Sequence, residues 1–270
     1  MTYLKKEISI MKTFKKIAAL LLAGAMMVTV LAACGGSSTS TTAAAGEGDT
    51  EASGGVLHMV TEATFPPYEY YEGDKIIGID VEIAEAIADK LGMTLEVEDM
   101  AFDSLIPAIA SGKADIAAAG MTVTEERLEN VNFTDTYANG VQVIIVRQDS
   151  DITSADDIEG KTIAVQTGTT GEIYADGLGE LSSFTKATDA VLEVINGKAD
   201  CMIIDSQPAQ KYVEANPELK ILEEDFENED YAMAIAKENT ELLDKVNGAL
   251  AELKESGELD EIISKYIDAE

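Results

Sequence analysis

Two stretches 85 residues apart share one order of residues. Ile109-Ala110-Ser111-Gly112-Lys113-Ala114-Asp115-Ile116 and Val194-Ile195-Asn196-Gly197-Lys198-Ala199-Asp200-Cys201 both read apolar, two variable positions, Gly-Lys-Ala-Asp, apolar. Each falls where an amphipathic pattern stops and a short apolar run begins. A glycine-ended helix followed at once by a buried strand is half of a β-α-β unit. Seen twice, it predicts two lobes of similar topology. The surroundings agree. Val81, Ile83, Ala84, Ile87, Ala88 and Leu91 fall on one helical face after Asp80, read as the N-cap, with Gly92 closing the helix. Leu95 to Val97 is a predicted strand, Ser104 to Ala110 a helix, and Asp115 to Ala119 a strand. Ala190 to Ile195 is a helix, and Asp200 to Ile204 a buried strand in which Cys201 serves as a small hydrophobe. The alternation means α/β architecture with parallel or mixed sheets. Ligands of such open sheets bind outside the carboxyl ends of the strands, so two lobes facing each other would enclose a cleft.

The first residues belong to a different kind of segment. Lys12, Lys15 and Lys16 precede an apolar run from Ile17 to Ala33, then Leu31-Ala32-Ala33-Cys34 leads into Gly35-Gly36 and a Ser, Thr and Ala tract. A basic stretch, a short apolar stretch and small residues before a cleavage point describe a secretory signal, with Met11 as the true start. About 17 apolar residues is at the bottom of the membrane-spanning range. The ending resembles the lipobox of bacterial lipoproteins, which implies that residues 1–33 are removed and Cys34 is lipidated. Residues 34–55 then read as the lipidated cysteine and a flexible tether. The predicted location is the outer face of the bacterial cell membrane, held by the lipid anchor.

Charge narrows the partners. The chain has Lys+Arg 19 against Asp+Glu 51, and losing residues 1–33 removes five lysines and Glu7, leaving a net charge of −36. Nucleic acid is gripped by Lys and Arg, so it is excluded as a partner. The hydrophobic fraction of 46% is that of a globular core rather than of disorder. One histidine and two cysteines make neither a Cys/His zinc site nor a disulfide framework. No metal or cofactor is expected, and the partner is a small molecule.

Five predicted strand ends carry the candidate chemistry. After Ala119 the chain reads Gly120-Met121-Thr122-Val123-Thr124-Glu125-Glu126-Arg127. Thr122 and Thr124 are placed to cap a short helix, and Gly120 lets backbone approach a ligand. Arg127 is one of two arginines and offers a bidentate grip on a carboxylate, although composition alone favours a surface salt bridge. Gln166-Thr167-Gly168-Thr169-Thr170, after the strand at Ile163, is either an anion-binding turn or an ordinary β-α turn. Asp205, past Ile204, is either a ligand or a helix cap. Glu62 and Phe65 open a Pro-stiffened loop after the strand Val56 to Val60, and Phe102 follows the strand at Leu95. Either aromatic alone is more often core. His58 reads as a strand residue, and the acids from Glu223 to Asp230 as a solvated face.

Taken together, these stretches resemble a known family. Thr61 to Tyr70, Gly78-Ile79-Asp80-Val81, Phe102 to Pro107, Ala119 to Arg127, Phe133-Thr134-Asp135, Gly160 to Thr170 and Gly197 to Asp205 are similar, in the same order, to family 3 solute-binding lipoproteins of polar amino-acid ABC importers. That family includes glutamine-binding and lysine/arginine/ornithine-binding proteins. The resemblance implies the two-lobed periplasmic-binding-protein-like fold of type II, with a hinge and an interlobe cleft. It implies lobe 1 from 56–140 and 232–270, and lobe 2 from 141–231. It implies a monomer that binds a polar or basic amino acid, with glutamine, arginine or lysine foremost, and delivers it to an ABC permease. Arg127 would grip the ligand carboxylate with the Thr122 and Thr170 backbone N–H groups. Asp205, the Gly120 carbonyl and the Thr122 hydroxyl would hold the ammonium group. Phe65 and Phe102 would flank the side chain and Glu62 would meet its far end. Ala119, Gln166 and Thr169 complete the expected binding set, with Ala119-Gly120 closer to the glutamine-binding pattern and no contact assigned to Gln166.

Two rivals use the same fold: a dehydratase-like enzyme and a ligand-sensing lipoprotein. The enzyme reading is the weaker, because the expected pocket has no histidine, cysteine or lysine and leaves Glu62 and Asp205 as its acids and bases.

Overall fold

The structure, a computed structural model, describes residues 54–222 and 227–267. The signal, Cys34 and most of the tether lie outside the described residues. So do Glu223 to Phe226, part of the acidic stretch. In chain order the first half supplies β1 (Val56–Thr61), β2 (Thr64–Phe65), β3 (Glu69–Glu72), β4 (Lys75–Ile77), α1 (Ile79–Leu91), β5 (Thr94–Asp99), α2 (Leu105–Ala110), β6 (Ile116–Ala117), α3 (Glu125–Leu128) and β7 (Val131–Phe133). The second supplies β8 (Ala138–Arg147), β9 (Thr162–Gln166), α4 (Thr170–Ala175), β10 (Glu180–Phe184), α5 (Ala187–Ile195), β11 (Cys201–Asp205), α6 (Ser206–Ala215), β12 (Leu219–Ile221) and β13 (Glu227–Tyr231). The chain ends with β14 (Ala234–Ala236), α7 (Thr240–Ser256) and α8 (Glu258–Ser264).

Two mixed sheets follow the same plan. The first runs β5-β1-β6-β14-β7 and the second β10-β9-β11-β8-β12, with β13 also on β8. In each, three parallel strands come first and the next strand is antiparallel. That antiparallel strand reaches each sheet from the other side of the molecule, as β14 does after β13 and as β8 does after β7. β8 and β13 also pair with each other, Ala138 opposite Tyr231 and Gln142 opposite Glu227, so the two connections form one ribbon.

The repeated Gly-Lys-Ala-Asp has a structural job, and it is the same job twice. The Asp115 N–H donates to the His58 carbonyl at 2.9 Å, and the Asp115 carboxylate accepts from the His58 N–H at 2.9 Å. Asp200 makes the same pair with Thr162, at 2.8 Å and 2.9 Å. His58 and Thr162 lie on β1 and β9, the second strand in the order of each sheet. Gly112 and Gly197 turn the preceding helices aside at φ 71° and 68°, where a side chain would be strained.

Three details differ from the sequence expectation. Asp80 does not cap α1: it lies in the first turn, wholly buried, where its carboxylate accepts from the Gly120 N–H at 2.8 Å and the Tyr137 hydroxyl at 2.7 Å. The Pro-stiffened loop contains β2 and β3, which pair with β4 into a small sheet of their own. The strand expected from Asp115 to Ala119 is only Ile116–Ala117, because the chain leaves the ladder early to bring Ala119 and Gly120 over the sheet edge. Cys201 is fully buried in β11 as expected, and burial followed by the charge of Asp200 pushes its thiol up to about 12.

Candidate amino-acid site between the two sheets

Parallel strands present their carboxyl ends at one edge, and both sheets turn that edge toward one cavity. β1 delivers Glu62, the turn after β5 delivers Phe102, and the chain after β6 delivers Ala119, Gly120 and Thr122. β9 delivers Gln166, Thr169 and Thr170, and β11 ends on Asp205. Phe65 on β2 and Arg127 on α3 close the sides. All of these line a single cavity, together with Glu69, which the sequence reading did not single out.

Arg127 is held rather than free. Thr124 caps α3 by accepting from the Arg127 N–H at 3.2 Å, which fixes where the side chain starts. The guanidinium donates to the Thr122 carbonyl at 2.7 Å and to the Gly168 carbonyl at 3.0 Å, and sits 5.2 Å from the centre of the Phe102 ring. Burial lowers its proton affinity, against the pull of Glu229 and Asp205, yet an arginine stays charged. Thr122 makes no helix cap. Its hydroxyl donates to Glu229 at 2.8 Å, a buried carboxylate that also accepts from Gln142 at 3.1 Å. This corrects the reading of Glu223 to Asp230 as a solvated face: Glu229 and Tyr231 are buried, while Glu227 and Asp230 are exposed. Strand alternation on β13 is the signal that a run of acids concealed.

The acids of the site are more numerous than Glu62 and Asp205. Asp205 sits at the N-cap position of α6 but makes no side-chain cap, and instead accepts from the Tyr231 hydroxyl. Burial, and then Glu229 beside it, raise its carboxyl to about 7. Glu69 is buried beside Asp80, and neither of its carboxyl oxygens has a hydrogen-bond partner among the described residues. Burial first, then Asp80, holds Glu69 well above the carboxylate range, and burial raises Asp80 to about 6. At the far end Glu62 accepts from the Thr64 hydroxyl at 2.8 Å on both oxygens and meets the side chain of Gln166. Burial raises its carboxyl, and those hydrogen bonds oppose the rise. Gln166 thereby acquires a partner on the opposite sheet. Thr169 caps α4, accepting from the Glu172 N–H at 3.3 Å.

Gly120 sets the floor. At φ 51° it lies in the left-handed region, and a Cβ there would stand 2.7 Å from the Phe65 ring. Only glycine lets that ring lie against the backbone.

A buried cation, buried anions at strand ends and flanking aromatics in one cavity are features of a small zwitterion site. The sequence profile of the bacterial extracellular solute-binding proteins, family 3, matches residues 57–269. The chain belongs to that family. It is 38% identical to the arginine-binding extracellular protein ArtP of Bacillus subtilis (strain 168) over 79% of this chain and 87% of that one. A solved structure of an ancestral arginine-binding protein bound to arginine is 40% identical, with a TM-score of 0.76 over 78% of this chain and 98% of the other. Another, of an ancestral arginine-binding protein bound to glutamine, is 40% identical with a TM-score of 0.75 over 79% and 98%. Family membership makes this an extracellular solute-binding protein of the periplasmic-binding-protein-like fold, and not the dehydratase-like enzyme weighed above.

Proposed function

We propose that this family member captures a cationic L-amino acid, arginine foremost, with glutamine the alternative, and hands it to an ABC permease. The observation that carries the reading is one cavity lined by an acid, Glu62, in addition to Arg127 and Asp205. Arg127, with the Thr122 and Thr170 N–H groups, takes the carboxylate. Asp205, the Gly120 carbonyl and the Thr122 hydroxyl take the ammonium group. Phe65 and Phe102 flank the aliphatic stem beside Ala119, and Glu62, steadied by Thr64 and Gln166, meets the far donor. An arriving guanidinium favours the ionised form of Glu62, whereas an acidic side chain would set two carboxylates together in a poorly solvated site. The arginine-binding relatives support the cationic choice, and the ancestral protein bound to glutamine supports the amide.

The same reading assigns 56–140 with 232–270 to lobe 1 and 141–231 to lobe 2. Cys34 carries the lipid anchor that keeps the protein, as a monomer, at the outer face of the membrane. Calorimetric titration with each common amino acid tests the ligand: micromolar or tighter binding of arginine with rejection of glutamate supports the reading. Tight binding of glutamate, or of leucine ahead of every polar ligand, would show that Glu62 does not set the specificity.

A further inference from the structure

Behind the proposed ammonium contacts lies a carboxylate with no role so far. Glu229 is 5% exposed and Asp205 is 9% exposed. The two buried carboxyls are neighbours: Gln142, which pairs with Asp205 across β8 and β11, donates its amide to Glu229 at 3.1 Å, and like charges this close in a buried site hold a proton between them rather than ionise together. Glu229 also takes the Thr122 hydroxyl proton at 2.8 Å. A serine or threonine hydroxyl has one proton to give and two lone pairs to offer. With its proton committed to Glu229, Thr122 faces the cavity as an acceptor only, which suits an ammonium group and nothing that accepts.

We propose that Glu229 is the positioning residue of the ammonium site: it orients the Thr122 hydroxyl as an acceptor and shares with Asp205 a proton that the incoming ammonium group displaces. This rests on the amino-acid reading above and deepens it. The step is balanced: the ligand keeps its three ammonium protons, the carboxyl pair gives up one, and that proton passes to solvent. The charged and titratable groups around the pair come from several elements. Arg127 on α3 supplies the nearby positive charge, and Tyr174 on α4 hydrogen-bonds Glu229. Tyr231 on β13 donates to Asp205, while Tyr68 and Glu69, on the loop and strand of the small sheet, feel the Asp205 charge. None of these tyrosines titrates near neutrality, since burial raises each of them. Glu69 is raised by burial and then by the charge of Asp80 beside it. Asp205, raised to about 7 by burial and Glu229, is therefore the group that titrates where the protein works.

The test is arginine titrated calorimetrically at pH 6 in phosphate, MES and imidazole, whose different ionisation enthalpies report the protons exchanged. Wild-type protein is expected to release about one proton per arginine, and its affinity to fall about thirtyfold from pH 8 to pH 5.5. Glu229→Gln is expected to bind more weakly at pH 8, but with the release abolished and the pH profile flat. A merely structural glutamate would weaken binding without changing the proton count. Glu62→Gln is expected to keep the release, which separates this proton from any at the far end. No release by wild type, release surviving in Glu229→Gln, or release lost in Glu62→Gln would each overturn the proposal while leaving amino-acid binding intact. If Glu229→Gln does not fold, Glu229→Asp takes its place: a shorter carboxylate is expected to shift the pH profile of arginine affinity, and a profile identical to wild type would overturn the proposal. Failure of wild type to bind any amino acid would instead overturn the underlying reading.

Discussion

Arg127 is the residue on which the proposed site depends most. It is 7% exposed, and its guanidinium reaches a carbonyl on each side of the cavity, Thr122 and Gly168. Removing one partner of a buried charge pair costs about 3–5 kcal/mol, more than a hundredfold in affinity. Arg127→Ala is therefore expected to abolish measurable binding while the protein still melts cooperatively, and Arg127→Lys to bind poorly because a point charge cannot make two directed contacts. Near-wild-type titration of a folded Arg127→Ala protein would remove Arg127 from the site. Composition hid this residue among a large excess of acids, and only its place after a strand end brought it forward. Glu69 and Glu229 were hidden differently. The chemistry of each depends on which way a strand side chain faces: around Glu229 acids at most positions leave no alternation to read, and Glu69 stands in a short tyrosine-rich strand after two prolines.

At the scale of elements, the helix-to-strand junctions were the most legible part of the chain. Glycine at a helix end followed by an apolar run is a local signal, and both copies of the repeat gave it. What a linear reading could not supply was the partner: Asp115 and Asp200 each close a two-bond clamp on a strand many residues earlier. Asp80 was misread for the same reason, since an acid in the first turn of an apolar helix is locally a cap, and its true partners, Gly120 and Tyr137, come from distant segments. The equivalence of the two clamps can be measured. Asp115→Ala and Asp200→Ala are each expected to destabilise by about 1–3 kcal/mol, the range for a charge-assisted hydrogen bond to backbone. Urea unfolding would show the two losses to be similar. A large loss in one and none in the other would mean that the repeat is a coincidence of sequence.

At the scale of the molecule, the two sheets are drawn together across the cavity. Arg127 reaches Gly168, and the Tyr212 hydroxyl on α6 donates to the Thr64 carbonyl at 2.6 Å. If lobe closure accompanies binding, saturating arginine compacts the protein in X-ray scattering, and Tyr212→Phe weakens affinity about fivefold by removing about 1 kcal/mol of closed-state hydrogen bonding. No compaction would count against a hinge. The buried acids also set how whole-molecule stability depends on pH. Asp80 and Asp205 are raised by burial to about 6 and about 7, and burial also holds Glu69 well above the carboxylate range. A carboxyl whose folded-state value exceeds its unfolded value contributes stability below the unfolded value, near pH 4, and loses it as pH rises through the folded value. For Asp80 the rise from 3.8 to about 6 corresponds to about 3 kcal/mol. Acids shifted the other way act in a different window. Glu82, where burial is outweighed by Lys265 and Tyr266, loses its contribution only as pH falls below the ordinary glutamate range. Between pH 5 and pH 8 the raised groups therefore govern, and self-repulsion in so acidic a chain acts in the same direction. Without added amino acid, the melting temperature is expected to fall steadily from pH 5 to pH 8 in scanning fluorimetry. A flat or rising profile would mean that water reaches these carboxyls and that the cavity floor is not sealed.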